Sequence, residues 1–189
     1  WDKGYMIHPM DWLRKTDWTI RQEIIWNRKI ASNIRGYRFW QIEERIYWLY
    51  KPINNNLIGS EMKSKHSLLT SVWEISPEKK SNHPAPFPLQ IPLRCIYSIL
   101  DNETNKLIID PYIGSGTTAI ACKFLNHNYI GIDNSQEYID MANERINNYE
   151  QEKEIYENEI SKHFVKETFA ERKAKGLWNK KTEEKIVDK

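Results

Sequence analysis

The sequence predicts an α/β fold on a mostly parallel sheet. Three observations lead there: a strand-to-helix unit that occurs twice between residues 106 and 149, a glycine-bearing turn at the end of the first strand, and an acid at the end of the second. Residues 106–110 form a short apolar run closed by Asp110, and 111–116 make a tight turn. A helix resumes over 117–125, a second strand over 129–133, and a second helix over 136–149, with Tyr138, Met141, Ala142, the Arg145 stem and Ile146 on one face. Strand, helix, strand at this spacing is a βαβ unit, whose crossover helix obliges the two strands to run parallel.

The elements before this unit follow from local composition. Residues 18–26 and 42–50 are rich in β-branched and aromatic side chains and read as strands, the second stopped by Pro52. Residues 53–82 turn polar and lose periodicity, which predicts a loop or small insertion with one short strand at 71–75. Pro84, Pro86 and Pro88 exclude a helix from 83–88. Beyond them Leu89, Leu93, Ile96, Ile99 and Leu100 set an apolar stripe on a helix over 89–100. From residue 150 onward Glu and Lys alternate at helical spacing, predicting a solvated charged helix that frays after Lys175. The organisation is therefore 1–52, an upstream strand region; 53–82, a loop or recognition insertion; 83–149, the βαβ region; and 150–189, a charged helical tail.

Composition narrows the function classes. The chain has 189 residues with 40% hydrophobic and 29% charged content, enough apolar material for a core and too much for a disordered tail. No run of eighteen apolar residues occurs, which argues against a membrane span, and the start lacks a signal-peptide pattern. Cys95 and Cys122 are too few for a disulfide framework or a cysteine zinc site, which points to a reducing cytoplasm. Residues 1–80 carry 14 Lys and Arg against 9 Asp and Glu, together with seven of the eight tryptophans. Basic residues interleaved with aromatics can follow a phosphate backbone and stack on bases; the same rings can equally be core.

Chemistry concentrates at Asp110-Pro111-Tyr112-Ile113-Gly114-Ser115-Gly116-Thr117-Thr118. A turn between a strand and a helix N-terminus presents amides without helical acceptors, suited to polar or anionic ligand groups. Gly114 and Gly116 let a ligand approach the backbone, and Asp133 at the end of the next strand can accept hydrogen bonds from two ribose hydroxyls. On spacing alone the pocket suits a nucleoside cofactor of either of two kinds, since Gly114-x-Gly116-x-x-Ala119 also fits the dinucleotide fingerprint of an NAD(P)-binding oxidoreductase.

The combination is more specific. Asp-Pro-Tyr-Ile-Gly-Ser-Gly-Thr-Thr at 110–118, preceded by His-Pro-Ala-Pro-Phe-Pro at 83–88 and followed by Gly-Ile-Asp at 131–133, resembles the amino-methylating DNA methyltransferases, in particular the circularly permuted β group. The upstream stretches 21–27 and 44–52 resemble the strands that follow the catalytic motif in that family; 150–189 resemble nothing nameable. The resemblance implies a Rossmann-like, S-adenosylmethionine-dependent methyltransferase fold, incomplete at its N-terminus, that acts with double-stranded DNA in a prokaryotic, nucleoid-associated setting as part of a restriction-modification system. It implies that the cofactor contacts Asp110, Tyr112, Gly114, Ser115, Gly116 and Thr117, that Asp133 takes the ribose, and that His83, Pro84 and Phe87 cover its other side. Target recognition would fall in 53–82, with Lys63, Lys65, Lys79 and Lys80 as phosphate contacts.

One departure from the family pattern stands out. Its catalytic element is an acid, asparagine or serine followed by Pro-Pro and an aromatic, and this sequence has no Pro-Pro dipeptide. In the family that element accepts protons from a weakly nucleophilic exocyclic amine and stacks on the flipped base. No residue of this chain is therefore expected to be catalytic. The expectation is a C-terminal portion whose partner piece precedes Trp1 or comes from another subunit, inactive by itself. A noncatalytic DNA-binding remnant is the further alternative.

Overall fold

The structure, a computed structural model, describes residues 8–31, 36, 39–52, 61–63, 70–78, 86–163 and 169–176. In order these form α1 (Pro9–Leu13), β1 (Thr19–Asn27), β2 (Glu43–Tyr50), β3 (Val72–Glu74), α2 (Gln90–Leu100), β4 (Leu107–Asp110), α3 (Thr117–Phe124), β5 (Asn128–Gly131), α4 (Gln136–Asn147), a 3₁₀ turn (Tyr149–Glu152), α5 (Lys153–Ser161) and α6 (Phe169–Ala174). Helix α1 escapes the sequence reading. Its signal is a capping box in which His8 and Asp11 satisfy each other's backbone donors, with Pro9 at the first helical position.

Two sheets form among the described residues. β4 and β5 pair in parallel, Ile109 opposite Ile130, as the βαβ pattern requires. β1 lies between β2 and β3, antiparallel to the first and parallel to the second. The 18–26 and 42–50 strands thus exist where the sequence puts them, but among the described residues they form a sheet with β3 and pair with neither β4 nor β5. Composition marks a strand without naming its partner, and the antiparallel pairing of β1 and β2 is the most extensive contact between strands here.

Helix α2 packs between the β1–β2–β3 sheet and α3. Its Ile91 joins Ile24, Trp26, Trp73 and Ile75 in one apolar cluster, while Leu93 joins Leu89, Ile120 and Ala121 in a second. A single stripe cannot serve two neighbours, so α2 also buries Arg94 and Tyr97. The tryptophans divide: Trp26 and Trp73 are core, whereas Trp12, Trp18 and Trp40 are exposed.

The tail corrects the expectation of a solvated helix. In α5, Glu159 and Ile160 are buried, and His163 just beyond it is buried too. Arg94 donates from Nε to Glu159 Oε1 at 2.7 Å and its guanidinium lies over the Trp73 ring, 4.9 Å from the centroid. His163 Nε2 stands 3.3 Å from the same Oε1, and Lys162 reaches Oε2. Tyr156 stacks on Phe124 of α3. Alternating charges look the same in sequence whether they face water or a buried arginine.

Burial opposes the Glu159 charge, yet its hydrogen bond from His163 and the charge and hydrogen bonds of Arg94 and Lys162 prevail, holding its carboxyl at about 2. A carboxylate depressed in the folded state stabilises the fold fully above its ordinary pKa of 4.5, and that contribution is lost as pH falls toward 2. A carboxyl-carbon NMR titration is expected to give Glu159 a midpoint near 2; a midpoint in the ordinary range would remove the buried pair from this account.

Candidate functional site

The turn between β4 and α3 is knitted to the end of β5. Ile113 N–H donates to Ile132 O at 2.8 Å and Ile132 N–H donates to Asp110 O at 2.9 Å, which carries the parallel pairing past the strand ends. Gly131 makes this possible: a Cβ there would stand 2.7 Å from Ile113 Cγ1. Asp110 Oδ1 accepts from Tyr112 N–H and reverses the chain, leaving the Tyr112 ring 85% exposed at the rim. Gly116 N–H closes on Ile113 O, and Gly116 O is the acceptor for Ile120 N–H, so the amides that open α3 have no helical acceptor.

Asp133 connects the two halves of the site. Its Oδ2 accepts from Gly114 N–H at 3.1 Å and its Oδ1 accepts from Ser135 N–H at 2.9 Å, at the start of α4. A carboxylate has about four acceptor positions, so roughly two remain for outside donors such as a vicinal diol. Gly114 and Gly116 both have positive φ, 50° and 83°, and both are buried. The arrangement can therefore offer backbone amides and a half-used carboxylate side by side, at the carboxyl ends of two adjacent parallel strands.

Among the residues anticipated from sequence, the structure brings Asp110, Gly114, Ser115, Gly116, Thr117 and Asp133 together around this one turn, with Tyr112 exposed beside them. Ser115 and Thr117 point their hydroxyls inward, to the guanidinium of Arg145 at 3.2 and 2.8 Å. Sequence reading valued Arg145 for its stem; its head makes these contacts, and only the periodicity of α4 hinted that it faces α3. Phe87 packs against the Trp26 and Trp73 cluster. Lys63 ion-pairs with Glu103, whose carboxyl is held at about 2 by Lys106 and Lys63. His83, Pro84, Lys65, Lys79 and Lys80 lie outside the described residues.

Neither thiol is poised for reaction. Burial raises Cys95 to about 11, and burial together with the Asp110 charge raises Cys122 to about 12. No group of His, Cys, Asp and Glu able to hold a metal occurs among the described residues, and no helix among them is long and apolar enough to cross a membrane. A cavity of about 260 Å³ lies elsewhere, between the β1–β2 pair and α2, lined by Ile24, Ile46, Trp48, Trp73, Cys95 and Ile99.

Comparison with known proteins gives this geometry a context. The Type II methyltransferase M.HinfI of Haemophilus influenzae is 30% identical over 149 residues, 71% of this chain and 41% of that protein. The Type II methyltransferase M2.LlaDCHI of Lactococcus lactis subsp. cremoris is 34% identical over 131 residues, 67% of this chain and 42% of its own length. The chain thus spans under half of either relative. The crystal structure of the M1.HpyAVI–SAM complex is 27% identical with a TM-score of 0.57, covering 71% of this chain and 66% of that one. The DNA methylase family model matches residues 4–144, a span that takes in β1 to β5 and the whole turn between Asp110 and Asp133, and the chain belongs to that family.

Proposed function

We propose that this chain is the cofactor-holding portion of an S-adenosylmethionine-dependent DNA methyltransferase that modifies the exocyclic amine of adenine or cytosine in double-stranded DNA, as one part of a restriction-modification system. The observation that supports this reading is the Gly114–Asp133 hydrogen bond, which sets a carboxylate beside a glycine turn at adjacent strand ends. The residues fit the group. Gly114 and Gly116 hold the left-handed backbone that the turn needs, Asp133 keeps acceptor capacity for two hydroxyls, and Tyr112 stands exposed beside them. When bound, the cofactor supplies an electrophilic methyl group on a sulfonium. This chain's part is to bind and orient: the α3 amides receive polar groups of the ligand and Asp133 holds the sugar. With both thiols un-ionised, no covalent relay through cysteine is available. His83, Pro84 and Phe87 belong to this proposal as the second wall, and Lys63, Lys65, Lys79 and Lys80 as DNA contacts.

Activation of the target amine is assigned to a complementary segment, from the same polypeptide or from a separate subunit. Two observations support that. No Pro-Pro-aromatic element exists in the chain. One face of the β4–β5 sheet is bare, with Leu107, Ile109, Ile130 and Ile132 each about half exposed, where a parallel sheet is ordinarily covered on both faces. The exposed aromatics Trp12 and Trp18, near Arg14 and Lys15 in sequence, and Phe39 and Trp40 suit a DNA surface, and we propose a nucleoid-associated setting in a prokaryotic cytoplasm.

Calorimetric titration tests the reading. S-adenosylhomocysteine is expected to bind and NADH not to; binding of NADH alone would move the turn to the oxidoreductase class. The isolated chain is expected to transfer no labelled methyl group to DNA, and incorporation above background would dispose of the complementary segment.

A further inference from the structure

We infer that Arg145 is a positioning residue for the cofactor turn and that Glu152 sets its aim, an inference that rests on the cofactor reading above. Arg145 sits near the end of α4, and Glu152 follows in the 3₁₀ turn after it. The two side chains meet edge to edge: Arg145 Nε donates to Glu152 Oε1 at 2.7 Å and Nη2 donates to Oε2 at 2.8 Å. A guanidinium is planar and rigid, so a carboxylate that grips one edge fixes where the remaining nitrogen points. That nitrogen, Nη1, donates to Thr117 Oγ1 at 2.8 Å and Ser115 Oγ at 3.2 Å, with Ser115 O at 3.4 Å. These residues flank Gly116, the left-handed residue on which the turn pivots.

The pair is mostly shielded from water, with Arg145 at 22% and Glu152 at 18% side-chain exposure, so its hydrogen bonds are little weakened by solvent. Three consequences follow. The Ser115 and Thr117 hydroxyls are turned into the protein, which leaves backbone facing the ligand. The turn is tied to a helix other than the one it opens. The tie also passes into the segment beyond residue 150, which carries no recognisable motif, so that segment becomes part of the site's framework. Ala142, one turn before Arg145, lies against Gly116 and seats the same helix on the same turn.

Three variants, Arg145→Ala, Arg145→Lys and Glu152→Gln, test the tie through S-adenosylhomocysteine affinity, melting temperature and amide NMR of the unliganded protein. Arg145→Ala is expected to weaken binding by about tenfold or more, the size of a charged hydrogen bond set. Guanidinium chloride at low millimolar concentration is expected to restore most of that affinity in this variant and to leave the parent unchanged. Arg145→Lys is expected to stay weak, because an ammonium has no fork. Glu152→Gln, nearly isosteric, is expected to fall between and carries the test if Arg145→Ala does not fold. In every variant the Gly114, Gly116 and Thr117 amide signals are expected to move while the Trp26 and Trp73 indole signals stay. Unchanged affinity and unchanged turn signals, or a loss in folded protein that guanidinium does not repair, would overturn the inference. Should the parent bind no cofactor, the cofactor reading fails by itself, and the turn signals decide the tie.

Discussion

Replacing Arg94 by leucine is expected to destabilise the chain by about 3 kcal/mol or more, a fall in melting temperature of roughly 6–12 °C for a protein of this size. The size follows from what stays behind. Glu159 is almost wholly inaccessible, and losing the arginine leaves its carboxylate to His163 and Lys162 while also removing the cation over Trp73. A buried charge deprived of its partner is far worse than no charge at all. The double variant Arg94→Leu with Glu159→Gln is therefore expected to recover a large part of the loss. Thermal unfolding of the parent, both single variants and the double variant supplies the cycle. Additive losses would mean that the two side chains do not act as a pair.

The largest effect on ligand binding is expected from Gly116→Val, at about 100-fold weaker cofactor affinity, or roughly 2.7 kcal/mol. Two independent obstacles add there. The residue sits at φ +83°, a region that β-branched side chains avoid, and a Cβ would stand 3.1 Å from Ala142 Cβ and 3.2 Å from Ala142 Cα. The first strains the pivot of the turn; the second pushes α4, and Arg145 with it, away from α3. Combining Gly116→Ala with Ala142→Gly relieves the contact with the side chain but not the dihedral, so affinity is expected to return only in part. Calorimetry with S-adenosylhomocysteine reads both, and parent-like affinity in Gly116→Val would show that the turn's conformation does not matter to binding.

How much of this was legible in the sequence depends on the range over which each feature is determined. The βαβ unit could be read residue by residue, because Leu107 to Asp110 and the glycine pair are local signals within a few positions of what they control. Asp133 was legible for a related reason: it ends a strand whose neighbour carries the turn. The partner of β1 was not, since β-branched composition says nothing about register or neighbour. Arg94 and Glu159 lie 65 positions apart, and nothing in either neighbourhood distinguishes a buried pair from two solvated charges. Arg145 fell between these cases: its face could be predicted, its bonding could not. The tryptophans divided because burial depends on which element lies opposite, and that is settled only by the tertiary fold.

The anchoring of α5 bears on where this protein can be cut. Similarity to the family runs out at residue 144, one position before Arg145 and eight before Glu152, while the Glu159 anchor lies farther still. A trimmed version designed on homology alone would retain every recognisable motif and discard the strut that steadies them, along with the lock that fastens the strut to α2. The unit recognised by resemblance and the packing that fastens α5 to α2 end at different places, and the packing reaches at least to His163.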